Sequence, residues 1–310
     1  MPDYNALLDA QVRAYIDRSD SFYPPDAVHL SIAQQRAVYD ALCVAFHQGR
    51  PPGVHVTDEA HGGVNCRRYE AGSSEVTVIY YHGGGFVVGG LHSHDDVCAE
   101  ICARTGYRVV SVDYGLAPEN VFPRCFDDAW SAFGAIADKW PGPVVLAGDS
   151  AGGNLCAAIC HHARGRRGMP VGQMLIYPGL GGDQRQGSYV EHADAPHLST
   201  RDLDFYAALR AGGAVPTGDP RFAPLHDTDF SGLPPTVVIT AQCDPLASDG
   251  ESYRDAILAA GGQAAWINEA GLVHGYLRAR AMSDRAGDSF ERIIGAVAAL
   301  GRGDWPAVAQ

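Results

Sequence analysis

A short apolar segment that leads directly into a glycine-flanked serine constrains the fold of this chain more than any other feature. Residues 143–147 (Pro-Val-Val-Leu-Ala) have the composition of a buried strand, and Gly-Asp-Ser-Ala-Gly follows at 148–152. Residues 151–160 are rich in small side chains and have the pattern of a helix. A sharp turn between such a strand and helix strains the serine backbone and projects its Oγ beyond the sheet, while glycines on either side avoid clashes. The segment therefore predicts that Ser150 is an exposed nucleophile.

A run of glycines follows another strand pattern. Residues 75–81 have the alternation of a strand and lead directly into His-Gly-Gly-Gly at 82–85. Consecutive glycines allow backbone N–H groups to turn toward one point, which a developing negative oxygen requires, and the N–H of Ala151 would add a donor. A phosphate-binding loop of the Walker type would need a following Gly-Lys-Ser/Thr, which residues 86–88 do not provide. The run therefore predicts an oxyanion hole.

His274 is the predicted general base among thirteen histidines. In enzymes with a nucleophilic serine on a strand–turn–helix unit, the acid follows the serine in the chain and the histidine comes last, on a loop after the final strand. Residues 263–268 have the pattern of that strand, and residues 271–276 have the pattern of that loop.

Three other histidines are weaker candidates for the base. His226 precedes the strand pattern at 236–240 and would reverse the usual chain order. His161 and His162 lie too far along the helix after Ser150 to reach back to it. All three are predicted to be solvated surface residues.

Asp244 is the preferred acid, and Asp249 is its competitor. Asp244 lies just beyond the strand pattern at 236–240, where residues that face ligands lie in parallel sheets. Asp249 has another predicted role, because Ser248 and Glu251 have the spacing of a capping box that would place Asp249 in the first turn of a helix.

Five motifs together resemble the hormone-sensitive-lipase family of bacterial carboxylesterases, from about residue 20 to the C-terminus. They lie in order at 82–86, 113–119, 148–154, 244–246 and 274–276. The resemblance implies an α/β-hydrolase fold with a mostly parallel central sheet, helices on both faces and a helical cap.

The resemblance also implies a role for each matching residue. Ser150 would be the nucleophile, Asp244 the orienting acid and His274 the base, and the N–H groups of Gly84 and Gly85 would join that of Ala151 in the oxyanion hole. No metal and no organic cofactor is implied.

Two positions depart from the family pattern. Gly115 stands where family members usually carry arginine, and residues 247–250 (Ala-Ser-Asp-Gly) replace a frequent Arg-Asp-Glu-Gly. Both departures affect local stabilising contacts rather than the chemistry.

Strand and helix patterns alternate along most of the chain, which predicts a mostly parallel sheet covered on both faces. The strand patterns lie at Val54–Val56, Cys66–Tyr69, Val76–Tyr81, Arg108–Val112, Val144–Ala147, Gln173–Tyr177, Thr236–Thr240 and Gln263–Asn268. The helix patterns lie at about Ser93–Arg104, Cys125–Lys139, Ala151–Arg164, Asp249–Ala260 and Asp288–Leu300. Residues 54–310 are the predicted catalytic domain.

Two segments fall outside this alternation and are predicted to form a cap over the carboxyl edge of the sheet. Residues 1–53 contain helix patterns at Tyr4–Arg18 and Ser31–Phe46. An insertion at about 179–213 contains another at Thr200–Leu209, with Ser199 or Thr200 as its N-cap. A cap would exclude water and shape the substrate pockets; helices at the periphery without that role are the alternative.

Composition limits the partners and the compartment. The 310 residues contain 23 Lys and Arg against 36 Asp and Glu, a formal net charge of −13 that disfavours nucleic acid and anionic membrane. The eight cysteines lack the dense spacing of a secreted disulfide scaffold, and the N-terminus does not resemble a signal peptide. We expect a cytoplasmic protein whose partner is a small ester; homodimer formation is left open.

A metal site is the less favoured interpretation of one group of residues. His94, Cys98 and Cys102 share a helix face, but a spacing of eight residues is two turns and too long for one ion to contact all three. Buried thiols explain these cysteines better, and Cys156 and Cys160 as well.

The sequence thus predicts a serine carboxylesterase that hydrolyses short-chain esters through an acyl-enzyme. An amidase or formamidase would use the same residues. A ligand-binding protein on an inactive hydrolase fold is the third hypothesis; such proteins typically lose a triad member, and this chain retains a candidate for each.

Overall fold

One mixed sheet forms the centre of the protein. The computed structural model describes residues 2–24, 30–166 and 168–307. In these residues eight strands are ordered β1-β2-β4-β3-β5-β6-β7-β8, with β1 and β2 antiparallel to their neighbours and the other strands parallel. The strands are β1 His55–His61, β2 Val64–Glu70, β3 Thr77–Tyr81, β4 Arg108–Val112, β5 Val144–Asp149, β6 Gly172–Ile176, β7 Thr236–Cys243 and β8 Ala264–Val273. Each predicted strand pattern coincides with one of them, which confirms the α/β prediction.

Helices pack on both faces of this sheet. In the described part of the chain they are α1 Tyr4–Leu7, α2 Ala10–Asp20, α3 Ile32–Phe46, α4 Asp95–Thr105, α5 Arg124–Lys139, α6 Ala151–Ala163, α7 Ser188–Glu191, α8 Thr200–Ala211, α9 Ala247–Ala259 and α10 Asp284–Arg302. Helices α4 and α10 share a hydrophobic core with α2 and α3 on one face, and α5, α6 and α9 share a second core on the other.

Strand β3 shows why the central strands are mostly apolar. All five of its residues are buried. Val78 and Tyr80 belong to the first core and Ile79 and Tyr81 to the second, because successive side chains of a strand point to opposite faces. A strand with helices on both faces therefore needs a continuous apolar run.

Four sequence predictions differ from the structure. The helix predicted at 4–18 is two helices, because the Asp9 side chain caps α2 by accepting from the Val12 N–H. Strand β8 continues to Val273, so the loop before His274 is shorter than predicted. His161 is buried rather than solvated, and its Nδ1 lies 2.7 Å from an Asp227 carboxylate oxygen.

The capping box predicted for α9 is the fourth difference. The helix begins at Ala247, and its N-cap is Leu246 rather than Ser248. The Ser248 hydroxyl instead accepts a hydrogen bond from the Ser188 N–H at 2.9 Å, and Asp249 is fully buried. Contacts with the insertion thus replace the local cap.

The helix predicted in the insertion is present and capped as expected. Ser199 is the N-cap of α8, and it forms a capping box with Asp202. Near the departure at Gly115, the Gly115 N–H donates to Asp128, which also pairs with Arg124 at 2.9 Å. Asp128 is therefore satisfied without an arginine at 115.

The eight cysteines are all buried and unpaired, and they include Cys98, Cys102, Cys156 and Cys160, which were predicted to be buried thiols. Among the helices of the described residues, none combines the length and apolar composition needed to cross a bilayer.

Candidate active site

Ser150 lies at a sharp turn between β5 and α6. Its φ of 52° and ψ of −116° are strained for a residue with a side chain, and its N–H donates to the Ile176 carbonyl at 2.8 Å. A Cβ at Gly152 would overlap the Tyr81 carbonyl, and a Cβ at Gly148 would lie 2.6 Å from the Gly152 backbone. Both glycines are therefore required for the turn, as the sequence predicted.

His274 connects Ser150 with Asp244. Its Nε2 lies 2.9 Å from Ser150 Oγ, and its Nδ1 lies 2.7 Å from Asp244 Oδ2. An ionised carboxylate only accepts, so Nδ1–H donates to Asp244 and the unprotonated Nε2 accepts the serine O–H. Asp244 is fully buried, and its other oxygen accepts from the Leu246 N–H at 2.9 Å. This arrangement can remove the proton of Ser150 and stabilise the imidazolium that results.

The competing residues do not meet Ser150. Asp249 accepts from the N–H groups of Leu180 and Gly181 at 2.6 and 3.1 Å and from the Tyr189 hydroxyl at 3.0 Å. His226 is exposed. The structure thus brings together the three residues that the sequence singled out and separates them from the alternatives.

The predicted oxyanion donors lie beside Ser150 on the cavity wall. Gly84 and Gly85 have φ values of 125° and 60°, and a Cβ at Gly84 would overlap the Val88 carbonyl. Within the described residues, no backbone carbonyl outside the regular helices and strands accepts from the N–H of Gly84, Gly85 or Ala151. These three N–H groups can therefore serve a ligand oxygen.

Asp149 joins the serine turn to the glycine loop, a contact that sequence reasoning missed. Its Oδ1 accepts from the Tyr80 hydroxyl at 2.8 Å and from the Gly83 N–H at 2.9 Å, and His94 Nε2 lies 3.2 Å away. Burial alone would raise the pKa of Asp149, but the His94 imidazole and the Tyr80 hydroxyl lower it below its usual range. Asp149 therefore remains ionised and fixes the loop relative to Ser150.

His94 is accordingly engaged by Asp149 and by Ser93, whose hydroxyl lies 2.8 Å from its Nδ1. In the part of the chain that the structure describes, no group of three or more His, Cys, Asp or Glu has the arrangement of a metal site.

Two further residues contact the backbone beside the candidate base. The Tyr15 hydroxyl donates to the Gly275 carbonyl at 2.8 Å, and His197 Nδ1 lies 3.4 Å from the His274 carbonyl. The two rings pack edge to face at 4.9 Å. Tyr15 belongs to α2 and His197 to the insertion, so both segments outside the sheet contact the loop that carries His274. No local pattern could have indicated these long-range contacts.

The candidate residues open into one cavity of about 1070 Å³. Ser150 and His274 lie on its wall with the glycine loop, Tyr15 and Tyr39 come from the N-terminal helices, and Tyr206 comes from the insertion. Both segments predicted as a cap therefore contribute to the wall; their role as a functional cap stays a prediction.

Comparisons with known proteins agree with this fold. Residues 78–278 match the family described as alpha/beta hydrolase fold. Carboxylesterase NlhH of Mycobacterium tuberculosis is 39% identical over 211 residues, which are 64% of this chain and 66% of NlhH. The match thus spans slightly less than two thirds of that relative. Carboxylic ester hydrolase LipN of the same organism is 35% identical over 270 residues, 81% of this chain and 72% of LipN.

Solved structures extend the likeness to nearly the whole chain. Ester-hydrolase EH1AB1 from the metagenome of Lake Arreo, complexed with a derivative of bipyridine phosphonate, is 31% identical with a TM-score of 0.85, covering 95% of this chain and 98% of its own. The thermostable carboxylesterase EstE1, cloned from a metagenomic library, is 30% identical with a TM-score of 0.81, covering 90% and 99%. The chain belongs to the α/β-hydrolases of the hormone-sensitive-lipase family.

Proposed function

We propose that this protein is a serine carboxylesterase that hydrolyses short-chain carboxylic esters through an acyl-enzyme intermediate. The observation that carries the proposal is the continuous hydrogen-bonded series from Ser150 Oγ through His274 to the buried Asp244, with distances of 2.9 and 2.7 Å. Ser150, at one end of this series, lies on the wall of the same cavity as the glycine loop. The relatives NlhH, a carboxylesterase, and LipN, a carboxylic ester hydrolase, support ester hydrolysis as the reaction.

In the first half of the reaction, Ser150 Oγ attacks the ester carbonyl while its proton passes to His274 Nε2. Asp244 accepts the Nδ1–H bond throughout and stabilises the imidazolium. The N–H groups of Gly84, Gly85 and Ala151 bind the negative oxygen of the tetrahedral intermediate. The intermediate then collapses, the bond to the alkoxy oxygen breaks, and His274 returns its proton to the departing alcohol.

In the second half, water replaces the alcohol. His274 Nε2 accepts a proton from the water as its oxygen attacks the acyl carbon, and the same donors bind the new oxyanion. Collapse releases the carboxylic acid and returns the proton to Ser150. The balance requires only the ester and water.

The preference for short acyl groups, roughly C2 to C6, is part of the proposal. It rests on the net charge of −13 and on helical segments at the cavity, which favour an enclosed pocket over a broad apolar face for lipid. A cavity of about 1070 Å³ does not by itself limit the acyl length.

Charge and cysteine content support two further parts of the proposal, the class of partner and the cellular compartment. A formal charge of −13 favours a small-molecule substrate over nucleic acid or anionic membrane, and eight unpaired cysteines favour a reducing cytoplasm. Formation of a homodimer would be tested by sedimentation.

The decisive experiment compares kcat/KM for p-nitrophenyl acetate, butyrate, octanoate and palmitate, with Ser150→Ala as the background control. We expect the highest values for the short esters and no rise in rate when a substrate passes its solubility limit. An enzyme most active on emulsified palmitate would be a lipase instead. Faster hydrolysis of a matched anilide than of its ester would favour the amidase alternative.

A further inference from the structure

Four arginines line the cavity: the exposed Arg201, which lies 3.9 Å from an Asp194 oxygen, and three others, which differ in how their charge is compensated. These three are Arg210 from α8 and Arg278 and Arg280 from the short helical segment that follows His274. A buried charge costs several kcal/mol, roughly, unless partners compensate it, so the partners of each arginine indicate its role.

Arg280 is fully compensated by the protein. Its guanidinium lies 2.5 Å from an Asp96 oxygen and 3.0 Å from a Glu100 oxygen. This arginine ties α4 to the segment after His274 and has no charge to offer a ligand.

Arg210 has no carboxylate partner within the described residues, but its guanidinium is enclosed. It donates to the Phe222 carbonyl at 2.9 Å and to Asn154 Oδ1 at 3.2 Å, and it lies over the ring of Phe86 at 3.7 Å. Burial lowers its pKa, and its Nε is buried without an acceptor. Its donors are therefore either bonded to protein acceptors or buried.

Arg278 forms no ion pair within the described residues and remains partly exposed. It donates to the Ser93 carbonyl at 3.1 Å and to the Tyr39 hydroxyl at 2.7 Å, which use two of its five N–H groups. The side chain remains partly exposed on the cavity wall. Among the residues that the structure describes, no carboxylate lies within salt-bridge distance of it.

The acidic residues that line the same cavity have other partners or positions. Asp96 pairs with Arg280, Asp149 contacts His94, and Asp202 caps α8. Asp20 is exposed and forms no ion pair with Arg278. Among the enclosed arginines of the cavity, Arg278, four residues beyond His274, therefore forms no ion pair with a described carboxylate, and Asp149 acts on its charge only through space.

We propose that Arg278 binds a carboxylate on the substrate, so that the preferred substrates are short esters that carry a carboxylate, such as half-esters of small dicarboxylic acids. Guanidinium groups recognise carboxylates through paired, charge-assisted hydrogen bonds. The inference rests on the proposed esterase activity and adds a substrate class to it. The net charge of −13 would repel an anionic substrate mainly during its approach to the protein. Salt screens exposed charges beyond about 8 Å at physiological ionic strength, so this repulsion has little effect on a carboxylate already beside Arg278.

The test compares two esters of matched length, p-nitrophenyl hydrogen adipate with a free carboxylate and p-nitrophenyl heptanoate without one. The ratio of their kcat/KM values is measured for the wild-type protein, Arg278→Met and Arg278→Lys, after subtraction of the Ser150→Ala background. A charge-assisted pair contributes about 1.5–3 kcal/mol, so we expect the ratio to fall about 10- to 150-fold in Arg278→Met. Lysine keeps the charge but not the planar pair of donors, and the ratio should fall less.

Each outcome decides a separate point. A wild-type ratio well below one at physiological ionic strength would overturn the inference even if Arg278→Met did not fold. An unchanged ratio in folded Arg278→Met would overturn it too. Either result, with heptanoate or butyrate still hydrolysed, would leave the proposed esterase intact. Failure of the wild type to hydrolyse any of these esters would instead overturn the esterase proposal and, with it, the inference.

Discussion

The ends of the parallel strands and the segments outside the sheet build the candidate site in different ways. Ser150, Asp244 and His274 each follow directly after a strand, β5, β7 and β8, so the sheet ladder fixes their backbone. Helix α8 of the insertion buries only Arg210 among its twelve residues. Helix α2 and the insertion each make one hydrogen bond to the backbone of the loop that carries His274, from Tyr15 to the Gly275 carbonyl and from His197 to the His274 carbonyl.

This difference suggests that the strand ends carry out the reaction and that the outer segments determine which substrates are accepted. The strand ends hold the groups proposed to make and break bonds, whereas the outer segments supply much of the cavity wall and contact the loop after β8. Changes at the strand ends should therefore abolish turnover in a folded protein. Changes in the outer segments should alter rates and substrate preference by smaller factors.

Ser150→Ala should have the largest effect. A small effect would contradict the distinction between the strand ends and the outer segments. The change removes one oxygen from the cavity wall and leaves nothing buried unsatisfied, so the melting temperature should change little. Loss of the nucleophile costs about 10⁶ in kcat in a well-studied serine hydrolase, and we expect a loss of that order. A phosphonate probe, followed by peptide mass spectrometry, should label Ser150; labelling of another residue would contradict the assignment.

Asp244→Asn should have the next largest effect. An imidazole without its carboxylate partner can adopt the wrong tautomer, and the prototype enzyme loses about 10⁴ in kcat. Asp249→Asn is the matched control, since this carboxylate is equally buried but contacts the insertion rather than His274. An inactive Asp249→Asn beside an active Asp244→Asn would reverse the assignment of the acid.

These assignments also show what sequence could predict. Ser150, Asp244, His274 and the glycine loop lie in local patterns of strand, turn and helix, and the parallel sheet aligns the carboxyl ends of the strands. Asp249 lies in the first turn of α9 as predicted, but its contacts and the burial of His161 could not be predicted, because their partners, the backbone at 180–181 and Asp227, are distant in the chain. Tyr15, His197, Arg210 and Arg278 had no signal at all, since their roles come from packing between segments that no periodicity connects.

Asp249 lies at the junction of the two regions and gives a prediction for stability. Burial raises its pKa to about 6, opposed by the hydrogen bonds from Leu180 and Tyr189. A pKa above that of the unfolded chain means that the folded protein gains stability from protonation at low pH. This gain is complete below the unfolded pKa of about 3.9 and is lost as the pH rises through 6.

The measurement is the free energy of unfolding of the wild type and of Asp249→Asn in urea between pH 4 and pH 7. Because asparagine does not titrate, the wild type should lose up to about 3 kcal/mol relative to the variant as the pH rises across this range. Subtraction removes the contribution of other titrating groups, including Asp149. A difference that did not change with pH would show that Asp249 has an ordinary pKa.

Tyr15→Phe should have the smallest effect. It removes a single atom of an outer segment, the hydroxyl oxygen that contacts the loop carrying His274, and so tests directly whether that segment positions the base. Loss of the hydroxyl leaves the Gly275 carbonyl without this donor, which costs about 1–3 kcal/mol for a buried group. We expect part of that cost to appear as greater freedom of the loop after β8. If up to about 1.4 kcal/mol of it raises the activation barrier, kcat falls about three- to tenfold, while KM changes less. The pH dependence of kcat should shift as well, since His274 would be held less firmly against Asp244.

Tyr4→Phe is the matched control, because the Tyr4 hydroxyl contacts His192 at 3.1 Å and not the loop that carries His274. A Tyr15→Phe protein that loses stability but keeps the kcat and pH profile of the Tyr4→Phe control would show that the outer segment supports the fold without positioning the base.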